Sequence, residues 1–224
     1  MGNRSFIAST PWDSSALAMP TFEVTEYSED AIKECLNYPG HYTIKVDPLA
    51  NTQILNLFGF YYCDTLITPV CFQDRLKTFE HTNAYLSTTF DAELLIKICD
   101  DVFKFGRFHR DFHIPVINAN QRYSQWLRQL IQEGKVFSFW WQNDLAGFFA
   151  VNENKILLTA ITEKFQNKSM AKYWLYLMCQ ELFNAGHERV ETSISAANLA
   201  AINLHASLGF RFQNAQDVYH LYVV

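Results

Sequence analysis

The sequence predicts an α/β layer fold arranged as one large domain or two small ones. Three observations lead there. Short apolar helices alternate with strand-like segments, and a meander of three strands occupies the middle of the chain. The 224 residues are 49% hydrophobic and 16% aromatic, which is ample material for a buried core.

Along the chain, Phe22 to Tyr27 alternates as a strand, and Asp30 to Asn37 forms a short helix that Asp30 can cap. Tyr42 to Val46 is a strand, Thr52 to Phe58 a short helix ended by Gly59, and Tyr61 to Phe72 an extended segment. Asp91 to Phe103 is a helix with a stripe of Leu94, Leu95, Ile98 and Val102, and an irregular stretch follows from Phe105 to Pro115. Asn118 to Glu133 is a helix that Gly134 stops. Val136–Gln142, Leu145–Asn152 and Lys155–Thr162 are strands joined by tight polar turns, an antiparallel meander. Lys168 to Ala185 is the strongest helix, with Met170, Ala171, Trp174, Leu175, Met178 and Leu182 on one face. Arg189 to Ser195 is a strand, Asn198 to Leu208 a helix ended by Gly209, and Phe210 to Val224 contains the last strand.

The charge balance excludes some partners. A net charge of −5 and a pI near 5.8 give no field that attracts phosphate backbones, so no nucleic acid is expected. No apolar run reaches the roughly 18–20 residues of a membrane span. The first residues lack a secretory pattern, and Phe6 stands where a myristoylation signal after Gly2 needs Ser or Thr, so a cytoplasmic protein is expected. The five cysteines are widely spaced with no C-x-x-C and read as reduced core thiols.

Residues 44–60 (IKVDPLANTQILNLFGF) parallel residues 191–210 (ETSISAANLAAINLHASLGF): each reads strand, Asn at a helix start, helix, Gly-Phe and strand. This suggests a truncated N-terminal copy of the C-terminal unit. The seam is expected in the polar stretch Lys77 to Phe90.

The most informative segment is 156–178, where a strand runs through a short loop into a long helix. Such a helix start offers backbone N–H groups without intrahelical partners, and the helix dipole adds positive character, so it can seat a pyrophosphate. Gln166-Asn167-Lys168-Ser169-Met170-Ala171 resembles the Q/R-x-x-G-x-G/A signature of the GNAT superfamily of acyl-CoA N-acyltransferases. Downstream, Asn198 to Phe210 resembles the family's second signature: an Asn, a short helix, an aromatic seven residues on, then Gly-Phe. The likeness spans about residues 90–224. Looser similarities, in Pro11-Trp12-Asp13 and in Gly106-Arg107-Phe108-His109 ahead of Tyr123-x-x-Trp126, are to dTDP-fucosamine acetyltransferase and related sugar N-acetyltransferases.

The resemblance implies a GNAT fold with a mixed, splayed central sheet. Residues 90–224 would form the catalytic domain and residues 1–80 a smaller partial GNAT-like half-domain. It implies acetyl-CoA as co-substrate, no metal, and direct attack by an acceptor amine, so no nucleophilic Ser or Cys is needed. Ile161, Thr162 and Glu163 would pair with the pantetheine amides, a backbone N–H near Ile161 would hold the oxyanion, Gln166, Asn167, Lys168, Ser169, Met170 and Ala171 would hold the pyrophosphate, and Asn198 the pantetheine arm. Two departures stand out: Ser169 replaces a glycine, and His205 stands where the family has its Tyr acid. His205 would be that acid or else pack at a helix end.

Trp12, Arg107, His109 and Asp111 are the acceptor-site candidates, against a core aromatic and a solvated polar loop. His109, Asp111 and His113 alternate as metal ligands can, but no further cluster accompanies them. The favoured acceptor is a nucleotide-activated amino sugar; another small amine or a protein amine is the rival acceptor, and a non-catalytic acyl-CoA-binding module the rival class. A homodimer stays open.

Overall fold

The computed structural model describes residues 6–224; the expectation about Gly2 lies outside them. The chain runs β1 (Ile7–Ser9), α1 (Pro11–Leu17), β2 (Thr21–Val24), α2 (Glu29–Cys35), β3 (Gly40–Val46), α3 (Gln53–Leu57), β4 (Tyr61–Phe72), β5 (Ala84–Ser87), α4 (Ala92–Val102), α5 (Val116–Gln132), β6 (Val136–Trp141), β7 (Asp144–Asn152), β8 (Lys155–Ile161), α6 (Ala171–Asn184), β9 (Arg189–Thr192), β10 (Ile194–Ser195), α7 (Leu199–Ser207) and β11 (Arg211–Val223). Its contacts divide it into two compact units, one of residues up to 66, 105–122 and 215–224, the other of residues 67–104 and 123–214.

In the first unit the strand order is β1-β2-β3-β11-β4. β2 and β3 are parallel, and β11 runs antiparallel to β3. Alternation on these strands separates two faces. Tyr42, Ile44, Val46, Tyr219 and Leu221 enter an apolar core with Ala31, Ile32 and Cys35 of α2 and Leu55 of α3. His41, Thr43 and His220 take the opposite face. A second small core gathers Leu17, Phe108, Ile114 and Ala119.

The second unit has the order β4-β9-β8-β7-β6-β5. β5 to β8 form an antiparallel meander, and β8 meets β9 in parallel. Helices cover both faces. Trp174, Met178, Cys179 and Leu182 of α6 pack with Phe139, Phe149 and Val190. On the other side Leu95 and Cys99 of α4 and Leu127 and Leu130 of α5 pack with Phe148, Leu158 and Ala160. This is the mixed, helix-flanked sheet that the sequence predicts.

Several local expectations are corrected. Ser28, not Asp30, caps α2, its side chain accepting from the Ala31 N–H. Leu94 is half exposed, while Leu95, Ile96 and Cys99 form the buried face of α4. The helix expected from Lys168 starts at Ala171. The strand expected over 189–195 is interrupted at Ser193, giving β9 and β10. The stretch Lys77–Phe90 contains β5, which pairs with β6 from Ala84↔Trp141 to Ser87↔Ser138. β1 and α1 carry no periodic signal and were not anticipated; α1 is only 7 residues with Pro11 in its first turn. All five cysteines are buried thiols.

Gly147 sits on β7 opposite Ile161. A Cβ there would stand 2.0 Å from the Ala160 carbonyl oxygen and 2.5 Å from the Phe139 ring. Neither neighbour can retreat, since one is ladder backbone and the other core. Gly147→Ala is therefore expected to destabilise the protein by at least about 2 kcal/mol in urea denaturation.

Candidate active site

The site begins where two strands part. β8 pairs with β9 only through Lys155↔Glu191 and Ile156↔Thr192. Thr192 Oγ1 donates to the Ile156 carbonyl at 2.8 Å, at the point of the split. On its other side β8 stays paired with β7 up to Ile161↔Gly147, and the Thr162 N–H donates to the Ala146 carbonyl at 2.8 Å. An antiparallel ladder turns alternate residues to alternate sides. Leu158, Ala160 and Thr162 thus spend their peptide groups on β7, while those of Thr159 and Ile161 face the gap. The Ile161 carbonyl accepts from Gln166 Nε2 at 2.8 Å.

Ile161 thus faces the open edge, whereas the Thr162 N–H is already used. Thr159 takes its place at the open edge; strand alternation is the signal that identifies it. The Thr162 hydroxyl is buried and has no hydrogen-bond partner in the protein. Glu163 lies in a short 3₁₀ turn, Glu163–Phe165, that leads into the loop.

Gln166 to Met170 forms the loop ahead of α6. Asn167 (φ +57°) and Ser169 (φ +55°) are both left-handed. A left-handed residue beside a right-handed one, as at Ser169 and Met170, turns successive N–H groups to one side and makes an anion-binding concavity. This explains why a glycine suits position 169: Ser169 occupies a conformation that glycine adopts without strain. Among the described residues, no backbone acceptor meets the N–H groups of Asn167 to Lys172. α6 also lacks a side-chain cap and has no acidic residue in its first turn. The contrast within the chain is clear, since Asp91 caps α4 and Asn198 caps α7. Lys168 is exposed in the same loop.

Asn198 accepts from the Ala201 N–H at 3.1 Å, so its carboxamide oxygen is a helix cap and its amide nitrogen is the group left to reach a ligand. His205 lies one turn beyond Ala201 and is 7% exposed. Its Nδ1 donates to the Ala201 carbonyl at 2.7 Å, and its ring meets Phe210 edge-on at 4.9 Å. Burial pulls its pKa down to about 4, against the opposing effect of that hydrogen bond. That burial favours the uncharged imidazole near neutral pH, with Nδ1 as the donor to Ala201.

The acceptor candidates all lie in the first unit and separate into two groups. Trp12 and Arg107 line one cavity of about 90 Å³ together with His41, Thr43, Glu23 and Phe108. Trp12 is 58% exposed, and the Arg107 guanidinium lies 4.7 Å over the Phe108 ring. His109 Nε2 is bonded to Asn120 Oδ1 at 2.7 Å. Asp111 is no solvated loop residue: it is 1% exposed. Its Oδ2 accepts from His41 Nε2 at 2.8 Å and His220 Nδ1 at 2.7 Å, and Tyr61 donates to it at 3.0 Å. Burial opposes ionisation of Asp111, but hydrogen bonds from His220 and His41 outweigh it and hold the carboxyl well below its usual range.

The His205 geometry has a measurable consequence. The folded pKa of about 4 lies below the unfolded value of 6.5, so the unfolded chain binds the proton first as pH falls. Stability is lost from about pH 6.5 down to 4. His205→Phe removes this loss, so its deficit relative to wild type should shrink by about 2 kcal/mol from pH 7 to pH 5 in denaturant titrations.

Comparison with known proteins agrees with this architecture. The family described as Acetyltransferase (GNAT) domain matches residues 86–220, more than half of the chain. A relative from Bacillus subtilis (strain 168), the spore coat polysaccharide biosynthesis protein SpsD, is 22% identical over 143 residues, covering 59% of this chain and 48% of its own. The present chain thus spans about half the length of that curated relative. Among solved structures, a GCN5-related N-acetyltransferase from Sphaerobacter thermophilus superposes with a TM-score of 0.64 at 8% identity, over 96% of this chain and 75% of that one. A tandem GNAT protein from the clavulanic acid biosynthesis pathway superposes with a TM-score of 0.57 at 11% identity, over 99% and 80%. The chain belongs to the GNAT acetyltransferase family, whose domain it carries over residues 86–220.

Proposed function

We propose that this protein transfers the acetyl group of acetyl-CoA to the amine of a small acceptor, a nucleotide-activated amino sugar being the favoured class. One observation carries the cofactor half of this reading: the uncapped start of α6, with its row of unpartnered N–H groups, belongs to the same strand-loop-helix unit as the open edge of β8. The N–H groups of residues 167–171 hold the pyrophosphate, with Lys168 adding charge. Thr159 and Ile161 pair with the pantetheine amides, and the Asn198 amide nitrogen steadies the arm. Residues 90–224 form the transferase domain in this reading and residues 1–80 a partial copy of it.

The chemistry needs little from side chains. A neutral amine attacks the thioester carbonyl, and the oxyanion that forms accepts from the Ile161 N–H. Collapse breaks the C–S bond and expels the CoA thiolate; the attacking nitrogen loses its extra proton to solvent, and the thiolate, whose thiol has a reference pKa near 8.5, takes one from solvent, giving amide and free CoA thiol. His205 is then a packing residue at the end of α7. The sugar acceptor is supported by the likeness to sugar N-acetyltransferases and by the polysaccharide context in the name of the Bacillus relative. Trp12 and Arg107 at one cavity are the acceptor contacts this reading retains; His109 and Asp111 serve internal bonds.

Position 169 tests the cofactor seat. Ser169→Gly keeps the left-handed turn and should bind CoA at least as tightly as wild type by calorimetry. Ser169→Val disfavours that turn by about 1–2 kcal/mol and should weaken CoA about tenfold or more without unfolding the protein. Equal affinity in both variants contradicts the seat. Thiol release measured with amino-sugar nucleotides, polyamines and peptides then distinguishes the acceptors, with turnover expected on the sugar nucleotides.

A further inference from the structure

The polar face of the first unit's sheet holds a second constellation. His41 on β3 and His220 on β11 are diagonal neighbours, because His220 pairs with Thr43, two residues from His41. Tyr61 opens β4, the strand next to β11. The loop after α4 lays Asp111 over all three. His41 Nε2, Asp111 Oδ2 and His220 Nδ1 lie within 4.8 Å of one another, and the three side chains are buried. The Tyr61 hydroxyl is 3.0 Å from both Asp111 oxygens. Asp111 Oδ1 also accepts from the His113 N–H at 2.8 Å, which fixes the carboxylate's orientation.

A carboxylate with no exposed surface requires a counter-charge. Of the nearby guanidiniums, Arg110 pairs with Asp64 at 2.6 Å, Arg122 pairs with Asp13 at 2.5 Å, and Arg107 lies over the Phe108 ring at 4.7 Å. Two imidazoles and a carboxylate converging from three separate segments make the donor set of a borderline divalent cation. Donors 2.7 and 2.8 Å apart can share a centre at bonds of roughly 2.0–2.2 Å after a small outward shift.

We propose that His41, Asp111 and His220 bind one divalent transition metal of the zinc class, with the Tyr61 oxygen as the nearest fourth donor. On binding, each imidazole presents a bare nitrogen to the metal and carries its proton on the other ring nitrogen, so charge and protons balance without an external acid or base. The site is closed to solvent and therefore structural: it ties the first unit's sheet to the loop over it. It is independent of the transferase reading, and its readouts are not activity.

The test uses the full chain. Protein purified without chelator should contain about one metal per chain by elemental analysis. After stripping, Co²⁺ should return at the same stoichiometry, with the visible bands of a low-symmetry nitrogen–oxygen site, and should raise the melting temperature. His41→Gln should abolish the bands, while His81→Gln, outside the cluster, should keep them. Stripped wild-type protein that takes up less than about half an equivalent of Co²⁺, or bands that persist in a folded His41→Gln variant, overturns the proposal. The wild-type titration decides the matter even where His41→Gln does not fold.

Discussion

Past Ile156, strand β8 has a neighbour on one side only. That one-sided pairing is the constraint on which the candidate cofactor site depends. Unpaired peptide groups inside a fold are costly unless something meets them. Here the alternation of the ladder fixes which groups it leaves over, those of Thr159 and Ile161, of which the Ile161 carbonyl is met by Gln166 Nε2. The sheet cannot close over them, because β9 departs toward β4, where Val70 to Phe72 take up its pairing. The same economy governs the loop that follows. Asn167 and Ser169 accept a left-handed backbone, and α6 starts without a cap. Each feature alone carries an energetic cost, and in the proposed reading an anionic ligand bearing amides offsets them together.

The first unit handles polarity in the opposite way. Its sheet turns one face to an apolar core and the other to His41, Thr43 and His220. The carboxylate laid over that face is met by four donors within the protein: two imidazoles, one phenol and one peptide N–H. The candidate cofactor site leaves its donors open to the surface, and this cluster converges its groups on one buried carboxylate. That difference distinguishes a surface prepared for a transient ligand from one that holds a segment in place.

Much of this was legible in the sequence. The meander, the long apolar face of α6 and the Asn198-to-Gly209 helix all follow from periodicity and from stop residues. So did the location of the strand-loop-helix joint. The start of α6 was less legible, because Asn167 and Ser169 have ordinary side chains and nothing local announces a positive φ. Leu94 fits the apolar stripe of α4 and yet faces outward, since the stripe is centred on Leu95 and Cys99. Asp111 was the least legible. Flanked by Arg110 and Phe112, it resembles any polar loop residue, and its partners lie 70 and 109 residues away in sequence. Pairing at that range is set by strand topology, which local pattern does not encode. His205 occupies the expected position, and only burial and its bond to Ala201 reveal its charge state.

The most direct measurement is amide hydrogen exchange with and without CoA, resolved to single residues. The account predicts slowed exchange at Thr159, Ile161 and residues 167–171 on adding CoA, with the amides of Leu158 and Ala160 unchanged because β7 already holds them. Unaltered exchange across 167–171 in protein saturated with CoA, or protection confined to another segment, would contradict it.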